Sequence, residues 1–242
     1  MEKIAIVFLL FLIYSFIGWC MEVILCSFLE KKLVNRGFLI GPICPIYGAG
    51  AVIITIALSG YKDDWIVVFC MAMILSGALE YFTSFAMEKI FHARWWDYSQ
   101  NKFNINGRIC LETMVPFGIL GLAIIYLLNP FFYNLLGLIP QNVLNIISII
   151  MAIILITDVT ISFNVISKVT KTVKTVTSEN KKDNTKEITE KVKEILKKTW
   201  QGNRLIEAFP RFETIKEKVK KVAKKVKREK KGSKGDGPQK NI

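Results

Sequence analysis

Long apolar runs are the feature that most constrains how this chain can fold. A helix needs about 20 apolar residues to cross a hydrocarbon core of about 30 Å, and apolar residues make up 52% of this sequence. The first run is far longer than the apolar part of a signal peptide and lacks a small-residue cleavage site, so we expect it to stay in the mature protein. The runs predict an all-α polytopic membrane helix bundle with about five transmembrane helices, over residues 4–29, 43–60, 65–87, 109–128 and 143–164.

The net charge of +13 belongs to one part of the chain. Residues 165–242 hold 24 Lys and Arg against 10 Asp and Glu, or +14, which leaves 9 and 10, or −1, for residues 1–164. A basic segment that follows a span is typical of the cytosolic side, where it meets anionic lipid or nucleic acid. Because this tail is tethered beside the bilayer, we expect anionic lipid to be its partner and expect no nucleic-acid binding.

The charges of the connectors predict an orientation. With the tail in the cytosol, five crossings put the N-terminus and connectors 61–64 and 129–142 outside, and connectors 30–42 and 88–108 inside. The inside connectors hold seven Lys and Arg, whereas the outside connectors hold one Lys against two Asp. This distribution obeys the positive-inside rule.

The tail itself divides into segments. An apolar stripe continues the last span as a helix, a polar linker covers 178–186, and amphipathic helices are predicted at 187–200 and 212–228. Two heptads are too few for a stable coiled coil, so a membrane-surface helix is favoured over a helix that docks a partner. The chain thus divides into a transmembrane domain at 1–165, a basic amphipathic tail at 166–231 and a disordered C-terminus at 232–242.

Ionisable side chains inside the predicted spans indicate where a site would lie. Such groups are costly in lipid and usually face protein or a water-filled cavity. Residues 37–50 hold two Pro and four Gly, which cannot form a regular lipid-facing helix. Together these features predict a polar, irregular cavity that opens to the cytosol. The four acids concerned share one depth, roughly 5 to 10 Å below the cytosolic surface, and they are Glu22, Glu80, Glu112 and Asp158.

Residues 80–108 concentrate acids, bases, aromatic rings and amides. Glu80, Ser84 and Glu88 recur every four residues and form a stripe on the third span. These groups could merely satisfy buried charge, or they could form a substrate or ion site. A metal site is disfavoured because His92 is the only histidine and lacks ligand spacing, and we expect no cofactor. The candidate counter-charges are Arg36, Lys89, Arg94 and Arg108.

The sequence lacks the common catalytic motifs. It holds no GxxxxGK[ST] phosphate loop, no HExxH and no GxSxG. The five Cys form no CxxC pair and are interpreted as small buried hydrophobes. The residues favour a protein that is not an enzyme, while Glu, Asp or Cys chemistry stays open.

Several motifs of this chain occur together in one family. The blocks in question are Gly18-Trp19 with Glu22, Asn35 to Leu39 with Gly41-Pro42, Trp95-Trp96-Asp97-Tyr98-Ser99, and Asn104 with Gly107 to Cys110. The region that carries them, about 10–165, resembles the type IV ABC-transporter permease family (CmpB-like) of bacterial membrane proteins. The resemblance implies a multi-pass protein of the bacterial cell membrane and a transport role. An ATPase subunit would then be a separate chain, docked by the inside connectors or by the tail.

Three functions follow as hypotheses. The first is a permease-type subunit with a cytosol-facing polar cavity, and a homo-oligomer stays open. The second is a membrane-embedded enzyme for a lipid or lipid-linked phosphate at the inner leaflet, and the third is a non-catalytic scaffold. In the enzyme, Glu80, Glu88 or Asp97 would be the acid or base, and Arg36 or Arg108 would hold the phosphate. The candidate cavity residues are Glu22, Arg36, Tyr47, Glu80, Ser84, Glu88, Trp95, Trp96, Asp97, Tyr98, Asn104, Arg108, Glu112 and Asp158.

Overall fold

The fold is an all-α helix bundle, as predicted. The computed structural model describes residues 2–31, 37–91, 93–94, 96–179 and 213–214. The helices are α1 (Glu2–Glu30), α2 (Pro45–Leu58, followed by a 3-10 turn at Ser59–Tyr61), α3 (Trp65–Phe91), α4 (Leu111–Ala123), α5 (Asn129–Gly137) and α6 (Gln141–Glu179). A π-helical stretch, Ile124–Leu128, joins α4 to α5. The two-residue strands are β1 (Ala93–Arg94), β2 (Asn104–Ile105), β3 (Ile109–Cys110) and β4 (Glu213–Thr214).

Within the described chain, four helical segments are long and apolar enough to cross a membrane. They are Lys3–Phe28, Trp65–Ile90, Leu111–Gly137 and Gln141–Asn164, which correspond to four of the five predicted spans. The segment Leu111–Gly137 continues nine residues beyond its predicted end at 128, so most of the predicted connector 129–142 is helical. The remaining predicted span, 43–60, is a shorter apolar helix over Pro45–Tyr61, roughly 26 Å long. It is preceded by the non-helical residues 37–44, which hold Gly37, Gly41 and Pro42, and Pro45 is its first residue. The chain is a multi-pass membrane protein.

α1 and α2 approach each other closely in antiparallel packing. A Cβ added at Gly48 would lie 2.1 Å from Ser15 Oγ, and one added at Gly18 would lie 2.3 Å from Tyr47 Cβ. Small residues at a membrane helix crossing allow such backbone contact. The amide of Cys44 donates to the carbonyl of Ser15 over 2.9 Å. The non-helical segment 37–44 therefore reaches the middle of α1.

Apolar and polar side chains gather at opposite ends of the bundle. We call the end with the turn at 62–64 the turn end, and the end with the connector 92–110 the connector end. The apolar core lies in the turn-end half, where every large helix contributes to it. The polar candidates lie toward the connector end. The core includes Leu9, Leu10, Tyr14, Ile54, Leu58, Val68, Ala72, Ile124, Leu136 and Leu144.

The connector 92–110 contains a β-hairpin. β2 and β3 pair antiparallel, with Asn104 opposite Cys110 and Ile105 opposite Ile109. Asn106 and Gly107 form the turn with φ values of 54° and 65°, and the amide of Arg108 donates to the carbonyl of Ile105 over 2.9 Å. Asn-Gly is the preferred sequence for such left-handed hairpin turns.

The tail is described only in part. The predicted helical continuation of the last span is confirmed as far as Glu179, where α6 ends. The predicted helix 212–228 lies outside the described residues except for β4, which is extended and pairs antiparallel with β1. The predicted helix 187–200 and the C-terminus 232–242 also lie outside the described residues.

Candidate functional site

Two carboxylate–phenol pairs meet near the connector end. The Tyr47 hydroxyl donates to Glu22 Oε1 over 2.7 Å, and the Tyr98 hydroxyl donates to Glu80 Oε1 over 3.0 Å. Burial raises the pKa of the Tyr98 phenol, and the nearby carboxylates of Glu80 and Glu22 act in the same direction. Tyr98 therefore stays protonated and lies close to both acids. We call these four residues, which come from α1, α2, α3 and the connector, the carboxylate–phenol cluster.

Glu80 is the most enclosed acid of this cluster. Its side chain is 6% exposed, and its Oε2 atom makes no hydrogen bond of regular geometry within the described part of the chain, although the Thr113 side chain lies beside the carboxylate. Buried polar atoms are nearly always well paired, so a carboxylate oxygen with such weak pairing is unusual. In a membrane-spanning helix such a group most often marks a substrate, ion or proton site.

Arg108 connects the hairpin to α3. Its Nη1 atom lies 2.9 Å from Glu88 Oε2 and donates to Ser84 Oγ over 3.3 Å. The guanidinium carbon lies 5.7 Å from the centroid of the Tyr81 ring and 5.4 Å from that of Phe85. We call Ser84, Glu88 and Arg108 the arginine latch. Of the predicted counter-charges, Arg108 thus pairs with Glu88, while Glu80 pairs with a tyrosine.

The other predicted counter-charges are placed differently. Lys89 is exposed and its ammonium lies 4.9 Å from the centroid of the Phe85 ring. Arg36 lies outside the described residues, and so do the side chain of Arg94 and all of Trp95 and His92. The described basic connector residues therefore contribute one buried ion pair, that of Arg108.

Asp158 holds the non-helical segment in front of α2. Its Oδ1 accepts from the amide of Ile40 and its Oδ2 from the amide of Gly41, both over 2.8 Å. The Ser162 hydroxyl also donates to Oδ1 over 3.0 Å. Both oxygens are thus used by the protein, and α6 is attached to residues 37–44 through a charged acceptor.

Three predicted residues shape the connector by short-range hydrogen bonds. Asp97 Oδ1 accepts from the amide of Ser99 over 3.2 Å and from its hydroxyl. The Asn104 amide nitrogen donates to the carbonyl of Asn101 over 2.8 Å. The carboxylate of Glu112, which is exposed, accepts from the side chain of Asn101. These contacts are local to the connector and the first turn of α4.

Helix geometry places three of the four acids predicted at one depth at similar levels, while Glu112 lies at the first turn of its span. The distance along the helix is counted from the first residue of each span, Lys3, Trp65 or Gln141, at about 1.5 Å per residue. It is roughly 29 Å for the first acid, 23 Å for the second and 26 Å for the third. The acids are Glu22, Glu80 and Asp158. Within the described residues, no group of three or more His, Cys, Asp or Glu could hold a metal ion.

A second polar group lies in the apolar core and was missed by the sequence analysis. The Tyr14 hydroxyl donates to Asn129 Oδ1 over 2.6 Å, and Asn129 Nδ2 donates to Thr55 Oγ1 over 3.0 Å. All three are buried. The signal was readable, because Asn129 and Thr55 are polar residues within long apolar stretches. The group ties α1, α2 and α5 together.

A comparison with family models places this arrangement in a known group. The model described as "Putative ABC-transporter type IV" matches residues 9–163, more than half of the chain. The chain belongs to that family. This match confirms the resemblance to the type IV ABC-transporter family that the sequence motifs indicated. The matched residues include both the carboxylate–phenol cluster and the arginine latch. It ends before the basic tail. No curated protein and no solved structure matched the chain.

Proposed function

We propose that this chain is a permease-type membrane subunit and that the carboxylate–phenol cluster meets the transported ion or substrate. The observation that carries the proposal is the enclosed carboxylate of Glu80, whose second oxygen lies beside the Thr113 side chain and makes no hydrogen bond of regular geometry among the described residues. Ionisable groups inside membrane bundles commonly mark transport pathways. The connector end would face the cytosol, as the charge of the connectors favours.

The chemistry of the cluster indicates what it would accept. Both phenols already donate their protons to Glu22 and Glu80, so the remaining capacity of the cluster is acceptor capacity. A cation, a proton or a group that donates hydrogen bonds fits such a site. The arginine latch is neutralised internally by Glu88. This pairing favours transport over the alternative enzyme, in which Arg108 would hold a phosphate.

Energy coupling would come from another chain. The sequence contains no phosphate-binding loop of the GxxxxGK[ST] type, whereas the family is related to ABC transporters. The exposed turn at Ser99 and Gln100 lies at the connector end, beside Tyr98. A bound ATPase subunit on this turn could act on the cluster through Tyr98.

Purification from the source membranes into lipid nanodiscs tests the proposal. We expect an ABC-type ATPase to co-purify at a fixed ratio and to hydrolyse ATP. Glu80→Gln should change the hydrolysis rate of the complex about tenfold or more, equivalent to about 1.4 kcal/mol. Asp63→Asn, an exposed acid at the turn end, is the matched control and should change it little. The proposal would be contradicted if the chain purified without any ATPase. It would also be contradicted if Glu80→Gln and Asp63→Asn changed the ATP hydrolysis rate equally.

A further inference from the structure

The connector hairpin packs beside α3 rather than beyond its end. Asn106 Nδ2 donates to the Tyr81 hydroxyl over 2.9 Å, at the tip of the hairpin. Tyr98 reaches Glu80, and Arg108 reaches the turn that follows on α3. The connector therefore contacts the second half of α3, between Glu80 and Glu88.

The level of these contacts in the bilayer follows from the helix rise. A hydrocarbon core of about 30 Å that begins at Trp65 ends near residue 85, at about 1.5 Å per residue. Tyr81 lies roughly 6 Å inside that boundary, and Glu80 lies slightly deeper. The hairpin tip is therefore level with the acyl chains of the leaflet at the connector end.

The outer surface of the hairpin suits that environment. Phe103, a turn residue with a φ of 50° directly before β2, is 80% exposed, and Ile105, in β2, is 55% exposed. Their backbone carbonyls are occupied, since Leu111 donates to Phe103 over 3.3 Å and Arg108 to Ile105 over 2.9 Å. Non-helical backbone at membrane depth is tolerated where it packs on protein, and this hairpin packs on α3 through Asn106 and Arg108. An exposed Phe and Ile on one hairpin are favourable among acyl chains and unfavourable in water.

We propose that residues 103–110 form a re-entrant hairpin that packs its backbone on α3 and inserts the side chains of Phe103 and Ile105 among the lipid acyl chains of this leaflet. Its opposite face carries Arg108 and stays on the protein, held by the arginine latch. The lipid contact would thereby help to fix the position of Tyr98, whose amide donates to the carbonyl of Gly107 over 2.9 Å. The aqueous part of the connector would then be the turn at Ser99 and Gln100.

Spin labels test the depth of the hairpin. Single cysteines at Phe103 and Ile105, in a variant without the native cysteines, are labelled with a nitroxide and reconstituted in phospholipid nanodiscs. We expect both labels to collide more with oxygen than with a water-soluble nickel complex, by about tenfold relative to a label at Gln100. Gln100 is exposed in the same connector and is the matched control. Nickel access at Phe103 and Ile105 equal to that at Gln100 would overturn the proposal.

A second measurement preserves the aromatic side chain and identifies the occupant. A benzophenone analogue of Phe replaces Phe103 in the full chain, and native membranes are irradiated. Adducts with phospholipid, detected by mass spectrometry of the purified chain, are the expected product. Crosslinks mainly to another polypeptide would show that a protein covers this face and would overturn the lipid assignment.

Discussion

Removing the guanidinium of Arg108 should take from Glu88 its ion-pair partner in the connector-end half of α3. Arg108 and Glu88 are 10% and 20% exposed, and their charged atoms are 2.9 Å apart. Breaking a buried pair by removing one partner costs about 3 to 5 kcal/mol. Because Glu88 retains some exposure, we expect about 3 kcal/mol for Arg108→Gln. The double variant with Glu88→Gln leaves no charge behind, so it should cost about 1 to 2 kcal/mol less than the sum of the single variants.

The free energies of unfolding can be measured in mixed lipid–detergent micelles by denaturant titration. Trp96 is a local reporter, because its indole donates to the carbonyl of Arg108 over 3.1 Å. Lys89→Gln is the control, since this exposed cation contacts the same Phe85 ring outside the latch. We expect it to cost less than about 0.5 kcal/mol. Additivity of the Glu88 and Arg108 variants within about 0.5 kcal/mol, or an equal cost for Lys89→Gln, would refute the latch.

Three further perturbations test the packing of the bundle by the same unfolding measurement. Asp158→Ala should cost about 2 to 3 kcal/mol, because two part-buried amides lose a charged acceptor. Asp158→Asn should cost less, and equal costs would contradict this reason. Gly48→Ala should destabilise the α1–α2 contact by about 1 to 3 kcal/mol, whereas Gly60→Ala, with nothing within 4 Å, should not. Tyr14→Phe removes one hydrogen bond to Asn129 and should cost about 1 kcal/mol. No measurable change would mean that this hydrogen bond adds no stability.

The helices could be predicted from the sequence because the bilayer imposes a length. The predicted span 65–87 corresponds to a helix from Trp65 to Phe91, and the predicted span 4–29 to a helix from Glu2 to Glu30. The predicted end of the fourth span, at 128, was nine residues early, because the apolar helical segment continues to Gly137. The Pro- and Gly-rich stretch 37–50 also indicated an irregular backbone, and residues 37–44 are non-helical. Composition did not predict that the helix after this stretch, α2, would be short.

The partners of the acids could not be predicted in the same way. The sequence analysis sought basic counter-charges, whereas Glu22 and Glu80 accept from tyrosines and Asp158 accepts from backbone amides. The groups that meet are 18 to 118 residues apart in the chain, and no periodicity brings them together before the helices pack. Charge alone also cannot distinguish a carboxylate that needs a cation from one that a phenol satisfies.

The turn of the connector hairpin could have been predicted from the sequence. Asn106-Gly107 is a strong hairpin sequence, and it lay within the block singled out for its polar residues. Its contacts with α3 depend on tertiary structure, because they join Tyr81 and Asn106, which are 25 residues apart. The sequence could therefore predict the turn, but not the level in the membrane at which it lies.

The side of the membrane that holds the connector end decides whether the carboxylate–phenol cluster can exchange with the cytosol. The direct measurement is labelling of single cysteines by a membrane-impermeant maleimide, at Asp63 in the exposed turn and at Gln100 in the exposed connector. We predict that the cysteine at Asp63 reacts in intact cells and that the one at Gln100 reacts only after permeabilisation. Reaction at Gln100 from outside intact cells, with protection at Asp63, would contradict a cytosol-facing site.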